Sequence, residues 1–301
     1  MNHISSPNEP WPSPQDLDAA TTTHIQGDFA VATRKLPISK SGAIDALSER
    51  IGIPLPEMIF GDNMVQLKHL PTGWTLTFAT PDALDAVDKT DRNVLKVAYA
   101  RDWESSRQET ATESVKQAVR PYDWSYSTTY TGTVTTGLQH DATNRGQHGD
   151  HQGQPEEQQQ SRLFRPTKLQ IPLELLKRRD PMLFFDEVVL YESELDDNGI
   201  SVYSAKLRVH QRRMLLLCRL FMRLDNVLIR IRDTRVYIDF DTQDVIRDYM
   251  AKEAPFQDVK EALLQSGRLQ DDVTVALRDA NILDPLLSVI EHRTDAVNLK
   301  A

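Results

Sequence analysis

The chain has 301 residues, 40% of them hydrophobic, and a net charge of −9. That is enough apolar material for one large domain or two small ones, and the acidic balance argues against a general nucleic-acid or membrane-surface binder. A single cysteine, Cys218, rules out an intrachain disulfide and cysteine-rich zinc sites.

No apolar run reaches the ~18 residues of a spanning helix, and Met1 to Gln15 lacks a signal-peptide pattern. A soluble, intracellular and monomeric protein is expected. Residues 1–22 are rich in proline, serine and threonine and read as a disordered tail. A first strand is predicted at Phe29–Val31. Ser41 to Ile51 has helical apolar spacing, a serine to cap it and Gly52 to end it. Short strands follow at 58–60, 65–69 and 74–78, separated by turn residues. Thr80-Pro81-Asp82 opens a helix, with Thr80 as cap and Asp82 near the positive end of the dipole.

Arg101 to Glu113 is polar and reads as a surface helix or loop. Tyr122, Trp124, Tyr126, Thr128 and Tyr130 share one parity along a predicted strand, a pattern of sheet packing more than of base stacking. Residues 131–165 are glycine-, glutamine- and histidine-rich and read as a disordered insert. His140, His148 and His151 within it lack the cysteines or frame of a specific metal site. A short helix is predicted from Pro172 to Arg179.

The organising stretch is 182–240, proline-free and rich in β-branched, leucine and aromatic residues. It reads as strands at about 182–194, 200–210, 214–224 and 227–240, with a helix over 213–224 as the competing reading. Asn198-Gly199 and Asp225-Asn226 supply the turns. A two-residue loop at Asp225-Asn226 sets Leu224 against Val227, Met222 against Ile229, Leu220 against Ile231, Cys218 against Asp233 and Leu216 against Arg235. One face is then apolar until Asp233 and Arg235; the other carries Arg219, Arg223, Arg230 and Arg232. Like charges opposed on a sheet need carboxylates or a partner. Two readings of Asp233 and Arg235 stand: they pair with each other or lie past the core edge, or they form a binding site at a strand end. Beyond Phe240, helices are predicted at 242–250, 257–269 and 271–292, making 256–301 a helical extension of a domain spanning 23–255.

The segments FFDEVVLYESELDDNGISVYSAKLRV and RLFMRLDNVLIRIRDTRVY resemble the TIPRL family, the TOR signalling pathway regulator-like proteins. LPEMIFGDN, DALDAV, LKVAYARDW and PYDWSYSTTY match the same family in the same order. The resemblance covers roughly residues 28–255. It implies a non-catalytic protein that binds the catalytic subunits of type-2A phosphatases, grips their C-terminal tail, holds them in a latent or less active state and acts in TOR signalling. It also implies a cytoplasmic location, with the nucleus as a second one. By resemblance Asp82 and Ile171 align with partner-facing positions; Arg230, Ile231, Arg232, Asp233 and Arg235 join them as the charged and apolar contact set. No GxSxG, HExxH, CxxC, P-loop or GxGxxG pattern occurs, and no cofactor is expected. The rival reading is an adaptor for other acidic or phosphorylated peptides. The fold expected is α+β, two-layer antiparallel sheets with flanking helices.

Overall fold

The computed structural model describes residues 12–90, 122–136, 162–266 and 273–300. The first eleven residues, Arg101 to Glu113 and the three insert histidines lie outside these. The architecture is α+β: a five-stranded antiparallel sheet, order β1-β2-β4-β5-β6, packs on an eight-stranded one, order β3-β8-β9-β10-β11-β12-β13-β7.

The smaller sheet holds β1 (Thr21–Gln26), β2 (Phe29–Arg34), β4 (Met64–His69), β5 (Thr75–Ala79) and β6 (Thr133–Thr135). The larger holds β3 (Met58–Ile59), β7 (Arg165–Pro166), β8 (Met182–Ser193), β9 (Gly199–His210), β10 (Arg213–Leu224), β11 (Leu228–Asp239), β12 (Asp244–Pro255) and β13 (Ser288–Asn298). The main core lies between the layers. Val31, Leu67, Leu76 and Phe78 from one sheet meet Leu190, Leu207, Leu216 and Val236 from the other, all at most 1% exposed. Polar links also cross. The Thr33 hydroxyl and the Lys35 ammonium both donate to Asp186, and Asn63 Nδ2 donates to the Val189 carbonyl.

Helix α1 (Pro14–Ala19) has a complete capping box from Ser13 and Asp16, so ordered structure begins within the predicted tail. Helix α2 (Ser41–Ile51) ends, as expected, at Gly52 with φ of 81°. Helix α3 (Thr80–Asp85) starts where predicted, but Thr80 is not its cap. It is fully buried, and its hydroxyl donates toward the Phe60 and Leu190 carbonyls. The aromatic run at 122–130 is not a strand. Asp123 to Tyr126 forms a tight turn, Tyr126 has φ of 55°, and Thr128 alone bridges to Val87. Tyr122, Trp124 and Tyr126 are nevertheless buried in the main core. On the insert's near flank, β6 pairs with β5, so order extends to Thr136.

The four long strands fall within one residue of their predicted ends, and 213–224 is strand. The turns differ. The β8–β9 turn rests on three consecutive left-handed residues, Leu195, Asp196 and Asp197 (φ 53°, 55° and 66°), anchored by Leu195, which is 1% exposed. The β10–β11 loop has three residues, with Leu224 opposite Leu228 and Asn226 left-handed. That extra residue turns β11 over relative to the expected register. Phe221 faces Ile231 and Arg219 faces Asp233, while Leu220 faces Arg232 and Met222 faces Arg230.

Beyond Phe240 the predicted helix is strand β12, paired with β11 along almost its whole length. The C-terminal portion is not wholly helical either. After α4 (Leu173–Lys177), the helices are α5 (Phe256–Gln265), α6 (Val273–Ala276) and α7 (Ala280–Leu283), and the chain returns as β13 beside β12. The β-branched residues Val289, Ile290, Thr294 and Val297 suit a strand, and partner strands override the weak helical periodicity.

Candidate functional site

The eight-stranded sheet has two faces, and the one-residue shift decides which charges each presents. The inner face of β10 carries Met214, Leu216, Cys218, Leu220 and Met222 into the main core. Arg230 and Arg232 share that face of β11 but lie beyond the five-stranded sheet's cover. They line a cleft of about 600 Å³ with Asp123, Ser127, Glu253 and Ile290. Arg230 is 7% exposed. Its Nε donates to Glu253 Oε1, and its Nη1 donates to Ser127 Oγ (2.9 Å) and lies 3.6 Å from Asp123. Asp123 also accepts from the Ser125 amide and hydroxyl. Burial pushes the Asp123 carboxyl above the usual range, against the pull of Ser125 and Arg230. Arg232 is less committed. Its Nη2 lies 3.7 Å from Glu253, and its buried Nε has no hydrogen-bond partner among the described residues.

The outer face carries a charge row across four strands. Arg219 on β10 grips Asp233 on β11 with Nε and Nη2, both at 2.7 Å. Arg235 Nη2 meets the same carboxylate at 2.7 Å, and its Nη1 lies 3.6 Å from Asp248 on β12. Asp248 in turn accepts from Thr294 and meets His292, both on β13. Alternation of sign along the row removes the like-charge cost that an all-arginine face would carry. Helices α5–α7 cover one end of this face. Phe221, Ile229 and Ile231 pack there against Phe256, Val259, Leu263, Leu277 and Leu283, a second core distinct from the first.

Asp233 is therefore not at a strand end, and it is not unengaged. It lies in mid-strand, 1% exposed, with both oxygens bound to arginines. Ile231 is equally buried. Arg235 keeps a partly exposed side chain. Asp82 sits in the first turn of α3, half-buried, accepting from Thr133 (2.6 Å) and Tyr130 (3.3 Å). Ile171, also half-buried, precedes α4, whose Leu175 carbonyl accepts from Arg213 on the outer side of β10. The structure thus brings Arg230 with Arg232 into one cleft and Ile231 with Asp233 and Arg235 onto the opposite face; Asp82 stands apart on the smaller sheet. Asp123, Ser127 and Glu253 complete the cleft and escape a reading of strand periodicity, because two come from an irregular turn and one from the end of β12, most of which reads as helix in the sequence.

The TIP41-like family profile matches residues 58–260. "Type 2A phosphatase activator TIP41" of Saccharomyces cerevisiae is 35% identical over 286 residues, 90% of this chain and 73% of that protein. "TIP41-like protein" of Homo sapiens is 36% identical over 229 residues, 76% of this chain and 75% of its own. The Dictyostelium discoideum protein of the same name is 34% identical and covers 91% of each chain. The chain belongs to the TIP41-like family.

Proposed function

We propose that this protein is a non-catalytic regulator that binds the catalytic subunit of a type-2A phosphatase. The observation that carries the reading is family membership over nearly the whole chain with relatives named as type-2A phosphatase activators. The inner cleft supports it: a buried Arg230 beside a less committed Arg232 offers guanidinium groups to a carboxylate in a partly dry setting, where charge-assisted hydrogen bonds are strongest. In this reading the cleft receives the subunit's C-terminal tail. Asp82, Ile171 and Arg235 keep accessible surface and touch the subunit directly, whereas Ile231 and Asp233 hold Arg235 and the covering helices in place. Binding keeps the subunit in a latent, less active state from which it is later released, so a purified assay reads inhibition while a cell lacking the protein loses activity. The protein acts in TOR signalling, in the cytoplasm and secondarily in the nucleus.

Affinity capture of the full chain from lysate tests this. A type-2A catalytic subunit is expected as a leading interactor; capture of many acidic or phosphorylated proteins without it overturns the reading in favour of a general adaptor.

A further inference from the structure

The β10 arginines of the outer face, Arg219 and Arg223, are engaged within the chain. Arg219 binds Asp233 and Asn281, and Arg223 binds Asp225 and the Leu277 carbonyl. The groups left over beside them have the opposite sign. A groove of about 940 Å³ runs between the outer face of β8–β10 and helices α6 and α7. Near the β8–β9 turn its floor is apolar: Val202 sits opposite Phe221, Ile200 lies two residues along, and the exposed Val275 of α6 stands in the wall. Glu192, directly opposite Val202 on β8, rings this end with Glu194 and Asp197. Among the described residues none of the three has an ion-pair or side-chain hydrogen-bond partner.

The basic groups of the groove offset these three carboxylates only in part. Lys206 is paired with Glu187. Arg208 lies six residues along β9 from Val202, about 20 Å at the rise of a strand. Arg278 follows Leu277, whose carbonyl accepts from Arg223, so at this end one guanidinium without a described side-chain partner stands against three carboxylates. Three carboxylates over an apolar floor in a chain of net charge −9 would repel an acidic peptide and favour a basic one.

We propose that this end of the groove docks an amphipathic segment of a partner protein, apolar where it meets Ile200, Val202 and the exposed Val275 and carrying lysine or arginine where it meets Glu192, Glu194 and Asp197. Apolar burial supplies the affinity and the charges fix orientation and speed of encounter. The site is on the face opposite the arginine cleft, so it stands whether or not that cleft binds a phosphatase tail.

The test uses the full chain and two fluorescein-labelled helical peptides with the same leucine face, one flanked by lysines and one by glutamates. By fluorescence anisotropy the lysine peptide binds at least about tenfold more tightly, and added salt weakens it. The triple variant Glu192→Gln/Glu194→Gln/Asp197→Asn loses about tenfold for the lysine peptide. A matched triple of exposed acids elsewhere, Asp45→Asn/Glu49→Gln/Glu57→Gln, has the same net charge and stays within about twofold. Val202→Lys weakens binding independently. Equal losses in both triples, equal affinity for both peptides, or no saturable binding of the lysine peptide overturns the proposal.

Discussion

Arg219 and Asp233 face each other across β10 and β11 in a two-pronged ion pair, and Arg235 closes on the same carboxylate from the next residue but one. Asp233 is 1% exposed, so this carboxylate is a structural joint between two strands and the row beyond them. Removing one member of a buried pair leaves an uncompensated charge and costs about 3–5 kcal/mol. Asp233→Lys therefore lowers the urea midpoint steeply, and any loss of partner binding follows from unfolding. Arg219→Met combined with Asp233→Leu recovers at least half of that loss, because neither charge is then stranded. A melting temperature for Asp233→Lys equal to wild type contradicts this.

Gly199 supports β10 from its other side, opposite Leu224, through the backbone. Its φ is 157°, and a Cβ there would lie 1.9 Å from the Arg223 carbonyl oxygen. Gly199→Ala forces β9 and β10 apart where they begin to pair, with an expected cost of about 3 kcal/mol. Chemical denaturation checks it. A loss under about 0.5 kcal/mol, usual for surface substitutions, would mean that the backbone adjusts freely there.

Asp186 joins the two layers and makes stability pH-dependent. Burial raises its carboxyl, but donation from Lys35 and Thr33 outweighs this and holds it below the usual carboxylate range. A carboxylate whose folded pKa lies below its unfolded value, about 3.9, stabilises the fold above that value and loses the contribution as pH falls through the folded pKa. Asp186→Asn should thus be less stable than wild type near neutrality, with the gap closing below about pH 4. Parallel denaturation curves at both pH values measure it; a gap that widens in acid contradicts the assignment.

Arg232 offers a cleaner probe of the inner cleft than Asp233 does of the outer face. Among the described residues its ion-pair contact is long and its Nε is unpartnered, so Arg232→Gln should cost less than the about 3–5 kcal/mol of breaking the buried Asp233 pair. Under the proposed function it weakens binding of a type-2A catalytic subunit about tenfold or more. Unchanged affinity would remove the cleft from the interface.

The long strands of 182–240 are legible because β-branched and aromatic residues run without proline, and α2 and α5 because helical spacing survives in them. The faces of β11 are not legible, because they turn on one loop residue. Asn226 is left-handed in either a two- or a three-residue loop, and only tertiary packing selects the three-residue form that sends Asp233 toward Arg219. Strands β12 and β13 are hidden for another reason: their residues form acceptable amphipathic helices until neighbouring strands compete for the backbone. The Asp123–Ser127 turn depends on Tyr126 adopting a left-handed conformation that no local signal specifies. Candidate residues chosen from strand parity inherit the register error. That is why Asp233 and Ile231 prove buried, while Arg230 and Arg232 form a cleft with partners from elsewhere in the chain.

The central claim is association with a phosphatase subunit without catalysis by this chain. Isothermal titration of the purified full-length protein into a purified type-2A catalytic subunit, followed by phosphopeptide turnover of the mixture, tests it most directly. The account predicts saturable one-to-one binding, weakened by deleting the subunit's C-terminal tail, with turnover falling as the complex forms. Absence of binding, or phosphopeptide hydrolysis by this chain alone, would contradict it.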